Sequence, residues 1–200
     1  MISAMVLAAG RSRRMGTQKL LLPFDGRPLI ARVVDELLRS PVEEVLVVIG
    51  NEGQPIRDAI AGRRVRFVTN TDSEGEMLSS VRCGLMAVPQ QSAAVVVALG
   101  DQPGVAAEIV AGLVREFRAV GRGIVVPTHR GQRGHPLLFA MSYRDEILTR
   151  HEGRGLRGLL DTHPEDVREL PVSAAGILED IDVPEDYRRA IDRLSNRRDP

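Results

Sequence analysis

Lys19 is the only lysine in this chain, and every other one of its 27 basic residues is arginine. It closes the segment Leu7-Ala8-Ala9-Gly10-Arg11-Ser12-Arg13-Arg14-Met15-Gly16-Thr17-Gln18-Lys19, where an apolar run gives way to a glycine-bearing loop. A lysine ammonium is a compact point charge with three free donors, suited to a phosphate oxygen. Arg11, Arg13 and Arg14 stand in the same loop and no acid precedes Asp25, so these positive charges are unopposed locally. Backbone amides and cations converging in one loop make a cradle for a polyphosphate. A second feature, Gly100-Asp101-Gln102-Pro103, follows the apolar run that ends at Leu99. A carboxylate there can hold Mg²⁺ against the same phosphates. This is equipment for attack on phosphorus, where catalysis is mostly positioning and charge neutralisation.

Such groups must be brought together by regular elements. The runs Ala4–Ala8, Val45–Ile49 and Ala94–Leu99 are continuously apolar, as parallel strands covered on both faces are, and Ile124–Val126 and Arg66–Val68 are shorter candidates. Between them, Pro28–Ser40, Met77–Val88 and Ala106–Val120 repeat apolar residues at helical spacing. Pro28 fits a first helical turn. The alternation predicts an α/β fold, a single-domain, doubly wound and mostly parallel sheet. Its ligands would bind beyond the carboxyl ends of the strands, where both features above fall. Later segments read as a short strand at Pro136–Phe139, helices at Ser142–Arg150 and Leu156–His163, a last strand at Arg168–Val172 and a closing helix at Pro184–Leu194. The expected division is one domain over 1–195 and a frayed polar tail over 196–200.

The 200 residues suit one domain, and 27 acids balance the 27 bases, so the net charge is zero. That argues against nucleic-acid binding, which needs a broad basic surface. Cys83 is the single cysteine, which excludes an internal disulfide and fits a reducing compartment. The run Ser3–Ala8 is too short for a signal peptide, and no apolar run reaches membrane-spanning length. A cytoplasmic protein is expected, with no membrane partner. His129, His151 and His163 show no ligand spacing, so no zinc site is assigned.

Generic phosphate motifs fail. A P-loop needs four residues between its glycines and then Lys-Ser/Thr, but five separate Gly10 from Gly16. The dinucleotide fingerprint would need glycine at position 12, which is Ser12, and a serine-hydrolase elbow would need it at position 14, which is Arg14. An ATPase, a dehydrogenase and an esterase fall away as first choices.

The pattern Leu7-Ala8-Ala9-Gly10-x-Ser12-x-Arg14-Met15-Gly16-x-x-Lys19 resembles the signature loop of the nucleotidyltransferases that build molybdenum cofactor dinucleotides. Gly100-Asp101-Gln102-Pro103, Gly134-His135-Pro136 and Asp180-Ile181-Asp182-Val183-Pro184-Glu185-Asp186-Tyr187 match in the same order, so the resemblance runs from Met5 to Tyr187. It implies a Rossmann-like, glycosyltransferase-A-like fold. The branch it resembles most is the molybdenum cofactor cytidylyltransferases, which transfer CMP from CTP to the phosphate of molybdopterin and release pyrophosphate. The guanylyl branch usually carries two glycines where this chain has Ala9-Gly10.

From the resemblance, Arg14 and Lys19 would bind the β- and γ-phosphates, and the Leu7–Gly10 stretch, through the Ala9 and Gly10 amides, would meet the base and α-phosphate. Asp101 would be the principal Mg²⁺ ligand and Asp182 the second, with Asp180 a rival. Asp101 and Asp182 also fit helix caps. The stretch Asn70–Ser80 would recognise the base, with Glu74-Gly75, Met77, Ser79 and Ser80 matching and Glu76 and Leu78 departing from the family pattern. A capped helix with solvated serines is the alternative. Gly134, His135, Pro136 and Arg82 would contact the acceptor, with Gly131–Phe139 and Gly153–Leu160 as the regions that shape its pocket. His135 reads equally as a structural histidine and Arg82 as a surface arginine. A molybdenum hydroxylase is the expected recipient of a labile product. The rivals are a guanylyl-, sugar-phosphate- or phospholactate-directed relative, a non-catalytic cofactor carrier, and a nicotinamide oxidoreductase, which the missing dinucleotide fingerprint disfavours.

Overall fold

Strand β1 (Ile2–Ala8) is buried along its length apart from partial exposure at Leu7, and it lies near the middle of one sheet. It pairs in parallel with β4 (Glu44–Ile49) on one side and β6 (Ala94–Leu99) on the other. These runs lack polar alternation because helices cover both faces. The computed structural model describes residues 1–10, 12, 15–72, 76–121 and 123–196. Outside this centre, β5 (Arg66–Thr69) extends the sheet in parallel beyond β4. On the other flank β9 (Leu137–Ala140), β7 (Ile124–His129) and β10 (Val167–Pro171) follow β6.

Strand β9 runs antiparallel to both β6 and β7. The cause is chain length. After β7 the chain turns through Arg130 and Gly131, both at positive φ, into the two-residue β8 (Gln132–Arg133) and returns directly. A parallel crossover needs a dozen or more residues, usually with a helix, and none intervenes. The single-domain, mostly parallel α/β sheet expected from the sequence is present, with this antiparallel insertion.

Helix α1 (Leu29–Arg39) buries Leu29, Ile30, Val33, Val34 and Leu37 completely, which is the stripe its spacing predicts. Pro28 precedes it as N-cap rather than sitting in the first turn. Helix α2 (Gln54–Ala59), not foreseen from the pattern, and α4 (Ala107–Val120) pack on the α1 side. Helices α3 (Met77–Ala87), α5 (Arg144–Thr149) and α6 (Gly155–Thr162) pack with one another. A small hairpin, β2 (Pro23–Phe24) and β3 (Arg27–Pro28), turns at Asp25-Gly26, with φ 57° and 75°. Two positive-φ residues make the turn whose twist suits a two-residue hairpin, and Asp-Gly tolerates it. Phe24 from this hairpin, Leu29 and Ile181 form a second buried cluster beneath α7 (Pro184–Asn196). The closing helix therefore runs through Asn196, two residues beyond its expected end. The rest of the expected tail, 197–200, lies outside the described residues.

Candidate active site

The parallel register sets Ala8 beside Ile49, and Leu7 beside Leu99, so the loops leaving β1, β4 and β6 emerge at one edge. Ser12 ties the first loop together: its hydroxyl donates to Gln18 Oε1 at 2.8 Å and accepts from the Lys19 amide at 3.2 Å. Lys19 then opens a short 3-10 turn anchored by buried Leu20. Its ammonium donates to Asp101 Oδ2 at 2.6 Å and to Asp182 Oδ1 at 2.9 Å. Burial pulls the Lys19 pKa down, but the hydrogen bonds and charges of Asp101 and then Asp182 outweigh it, and the net shift is upward. The lysine is firmly cationic.

Asp101 does not cap helix α4. Helix α4 begins six residues past Asp101, with Ala106 as N-cap. In the first turn of α7, Asp186 Oδ2 accepts the Asp182 and Val183 amides at 3.0 Å each. This is the backward-reaching half of a capping box, and it fixes the backbone from which Asp182 projects. These amides hold the Asp186 carboxyl below its usual range. The stretch before α7 is laced to the loop after β6: the Ile181 amide donates to the Asp101 carbonyl at 3.1 Å, and Gln102 Nε2 donates to Asp180 Oδ1. Gly104 and Gly176 touch backbone to backbone; a Cβ on Gly104 would lie 2.4 Å from the Gly176 carbonyl oxygen. Burial, reinforced by the charges of Asp101 and Asp182, raises the Asp180 pKa against the pull of the Gln102 hydrogen bond.

Cavities open at and beside this centre. One of about 330 Å³ is lined by Leu7, Ala9, Gly10, Ser80, Asp101 and Asp182, with Asp180 and Asn70. A second, of about 500 Å³, shares Ala9, Gly10 and Asn70 and extends over Ala8, Gln18 and the Gly50–Gly53 loop. The third, of about 990 Å³, is bounded by Gly131–His135 and Gly153–Arg157, the two regions proposed from sequence to shape an acceptor pocket. Glu76 and Met77 line both it and the first cavity.

The structure brings Leu7, Ala8, Ala9, Gly10, Lys19, Ser80, Asp101 and Asp182 to this edge. Arg14, with Arg11, Arg13 and Glu74-Gly75, lies outside the described residues. Ser79 and Ser80 both accept from Asn70 Nδ2, at 3.0 and 3.1 Å, and Ser80 lines the 330 Å³ cavity. Asn70 is the residue the sequence reading underrated: it is buried, it orders both serines, and its Oδ1 accepts the Asp72 amide. Gly134 and His135 line the large cavity, and Pro136 follows through a cis peptide. A Cβ at Gly134 would lie 2.2 Å from the Ile177 carbonyl oxygen, and the His135 amide bonds that oxygen at 3.0 Å. Burial depresses the His135 pKa against the opposing charge of Asp101, which favours a neutral imidazole.

Arg82 is corrected. Its three guanidinium nitrogens donate to the Ile147 carbonyl at 2.8 Å, to Glu152 at 2.6 Å and to the Arg150 carbonyl at 2.6 Å. It fastens α3 to the end of α5 and does not line the cavities. The histidine spacing also concealed a grouping: Glu146 joins His151 and His163 at 2.8 Å each, and His163, Glu165 and Asp166 offer ligand atoms within 4.8 Å of one another. Among the described residues, no helix is long and apolar enough to cross a membrane.

Asp101 and Asp182 fit a divalent metal. They are hard oxygen donors that already converge on one cationic atom.

Comparison with known proteins agrees with this geometry. The chain is 26% identical to the molybdenum cofactor cytidylyltransferase of Escherichia coli K12 over 97% of each chain. It is 28% identical to the nicotine blue oxidoreductase of Paenarthrobacter nicotinovorans, over 95% of this chain and 96% of that one. Identity is 32% with a probable molybdenum cofactor guanylyltransferase of Methanosarcina acetivorans, over 73% of this chain. The chain spans 65% of that relative and 24% of the bifunctional GlmU of Symbiobacterium thermophilum. Rv0371c of Mycobacterium tuberculosis H37Rv superposes with a TM-score of 0.86 at 30% identity, covering 96% of this chain and 97% of that one, and it also has a solved complex with manganese. Residues 4–167 match the MobA-like NTP transferase domain, and with its sheet, loop and paired carboxylates the chain belongs to that nucleotidyltransferase family.

Proposed function

We propose that this protein transfers CMP from CTP to the phosphate of molybdopterin, releasing pyrophosphate, with Mg²⁺ held by Asp101 and Asp182. The observation that carries the reading is the meeting of Lys19 with both carboxylates where the two smaller cavities adjoin. The base would occupy the pocket over Gly50–Gly53 and Asn70, and the phosphates would pass over Ala9 and Gly10. Lys19, with Arg14, would neutralise the β- and γ-phosphates and so stabilise the leaving pyrophosphate. An oxygen of the acceptor phosphate attacks the α-phosphorus as the bond to the β-phosphate oxygen breaks. That oxygen is already ionised near neutral pH, so no general base is needed. A divalent ion between Asp101 and Asp182 would supply charge neutralisation at the reacting phosphorus.

A guanylyl reading is favoured by the Methanosarcina relative. The test is pyrophosphate release from CTP, GTP, ATP and UTP with Mg²⁺ and molybdopterin, beside Asp101→Ala and beside an NADPH oxidation assay. Release from CTP alone, lost in the variant, is expected. Release from GTP overturns the base assignment. Tight molybdopterin binding without release points to a carrier, and NADPH oxidation without release to an oxidoreductase.

A further inference from the structure

Arg32, on α1, joins the two stretches that carry the paired carboxylates. Its Nε donates to the carbonyl of Pro103, two residues past Asp101, at 3.1 Å. The same guanidinium lies 3.8 Å from Asp25 Oδ2 and over the Phe24 ring, 6.0 Å from its centroid, so it also holds the β2–β3 hairpin. Phe24 packs in the buried cluster with Ile181, the neighbour of Asp182, and the Ile181 amide returns to the Asp101 carbonyl at 3.1 Å. These contacts close a ring, from the Asp101 loop through Arg32 and Phe24 to Ile181 and back. One turn along α1, Glu36 is buried, lies 3.8 Å from Arg32 and accepts the Ala107 amide at 3.1 Å. Ala106 at the N-cap of α4 has no side-chain oxygen for that amide, so Glu36 supplies the acceptor from a different helix. The 103–107 stretch is thus gripped at both ends by one pair of opposite charges. The cation takes a carbonyl and the anion takes a helix N-terminus, where the dipole favours it.

We propose that Arg32 is a positioning residue for the paired carboxylates: by holding Pro103 and Phe24 with one guanidinium, it sets how far Asp101 stands from Asp182. This rests on the reading above, in which those carboxylates hold the metal, and adds to it a residue that lines none of the three cavities described. Two hard donors share one ion only when both come within bonding distance of it. Groups that hold ligating side chains in place are accordingly worth about 10- to 100-fold in metal affinity. A planar guanidinium can donate in its plane to Pro103 and present its face to Phe24 at once, which an ammonium cannot. The Ile181–Asp101 hydrogen bond and the Gly104–Gly176 contact survive the loss of Arg32, so the effect belongs at the lower end of that range.

The experiment is calorimetric titration of Mn²⁺ into the full chain without nucleotide, for wild type, Arg32→Met, Arg32→Lys and Arg63→Met. Each protein also gives a melting temperature and steady-state kinetics of pyrophosphate release. Arg32→Met keeps an unbranched side chain against Phe24 and removes the donor and the charge. It is expected to raise the Kd for Mn²⁺ about 10-fold. It should lower kcat with little change in the KM for CTP, because the pocket over Gly50–Gly53 is not among its contacts. Arg32→Lys should recover part of the Mn²⁺ affinity. Arg63 pairs with Asp35 of the same helix at 2.6 Å and is the control for lost stability alone. Arg63→Met should lower the melting temperature by a similar amount and leave the Kd for Mn²⁺ where it is. Equal Mn²⁺ binding by wild type and Arg32→Met would overturn the assignment. So would an equal rise in Kd in Arg63→Met, or a wild type that binds no Mn²⁺. If Arg32→Met alone binds Mn²⁺ more weakly, yet no nucleotide yields pyrophosphate, the transfer reading fails while the positioning role stands.

Discussion

Lys19 and Asp101 meet at 2.6 Å across 82 residues of sequence, and the same ammonium reaches Asp182 at 2.9 Å. A cation is thus already seated where the two carboxylates would hold a metal. A divalent ion held by these carboxylates would have to displace the ammonium, which would then be free to take a phosphate oxygen. Two variants separate these roles. Lys19→Met should bind Mn²⁺ more tightly than wild type in the absence of nucleotide, because the competing charge is gone, and still lose on the order of 10²- to 10³-fold in pyrophosphate release. Asp101→Asn should lose both metal binding and activity. Calorimetric titration with Mn²⁺ reads the first effect, and weaker binding by Lys19→Met would contradict the displacement.

Asp186 links the stability of α7 to the position of Asp182. Its pKa is held down mainly by the Asp182 and Val183 amides. A depressed folded-state pKa stabilises the fold above the unfolded value, about 3.9 for an aspartate. That contribution disappears as pH falls through the lower folded value. Asp186→Ala should therefore cost about 1 kcal/mol near neutrality. The gap to wild type should close below about pH 4. Urea unfolding at a series of pH values measures it, and a gap that widens on acidification would reverse the sign.

Arg82→Ala should report on stability alone. Removing the guanidinium leaves two backbone carbonyls and Glu152 without their donor. A loss of about 2 kcal/mol is expected. For a chain of this size that lowers the melting temperature by about 4–8 °C. The Kd for molybdopterin should not move, and a rise in it at constant melting temperature would return Arg82 to the site.

Gly104→Ala tests the backbone contact behind the carboxylates. With a Cβ 2.4 Å from the Gly176 carbonyl oxygen, the 176–182 stretch must shift away from the Asp101 loop. Destabilisation of about 1–3 kcal/mol is expected. Mn²⁺ binding should weaken with it, as Asp182 moves off Asp101. Thermal melts and Mn²⁺ titration together check this, and a stable variant with weakened Mn²⁺ binding would confine the effect to the site.

Periodicity reports burial and local conformation, and both were legible along the chain. The five candidate strands became β1, β4, β5, β6 and β7, and the stripe Leu29, Ile30, Val33, Val34, Leu37 became the buried face of α1. Where the pattern was too short to carry a period it was silent, as at α2 and the Asp25-Gly26 hairpin. The direction of β9 is a consequence of chain length after Arg130-Gly131 rather than of which residues are apolar, so the apolar pattern alone did not show it.

The site divides in the same way. Residue type singled out Lys19 as the one ammonium among arginines, and the strand end singled out Asp101, because both are local properties. Residue type could not decide which acid of the Asp180–Asp186 stretch points at the lysine, which one accepts the amides ahead of the helix and which one is held by Gln102. The fold gave these tasks to Asp182, Asp186 and Asp180 respectively. Nor could residue type place Arg82 in a structural clamp and leave Arg157 open to a cavity. A charged side chain has the same chemistry in either setting. Only the packing of distant elements determines whether its donors meet protein carbonyls or an open pocket.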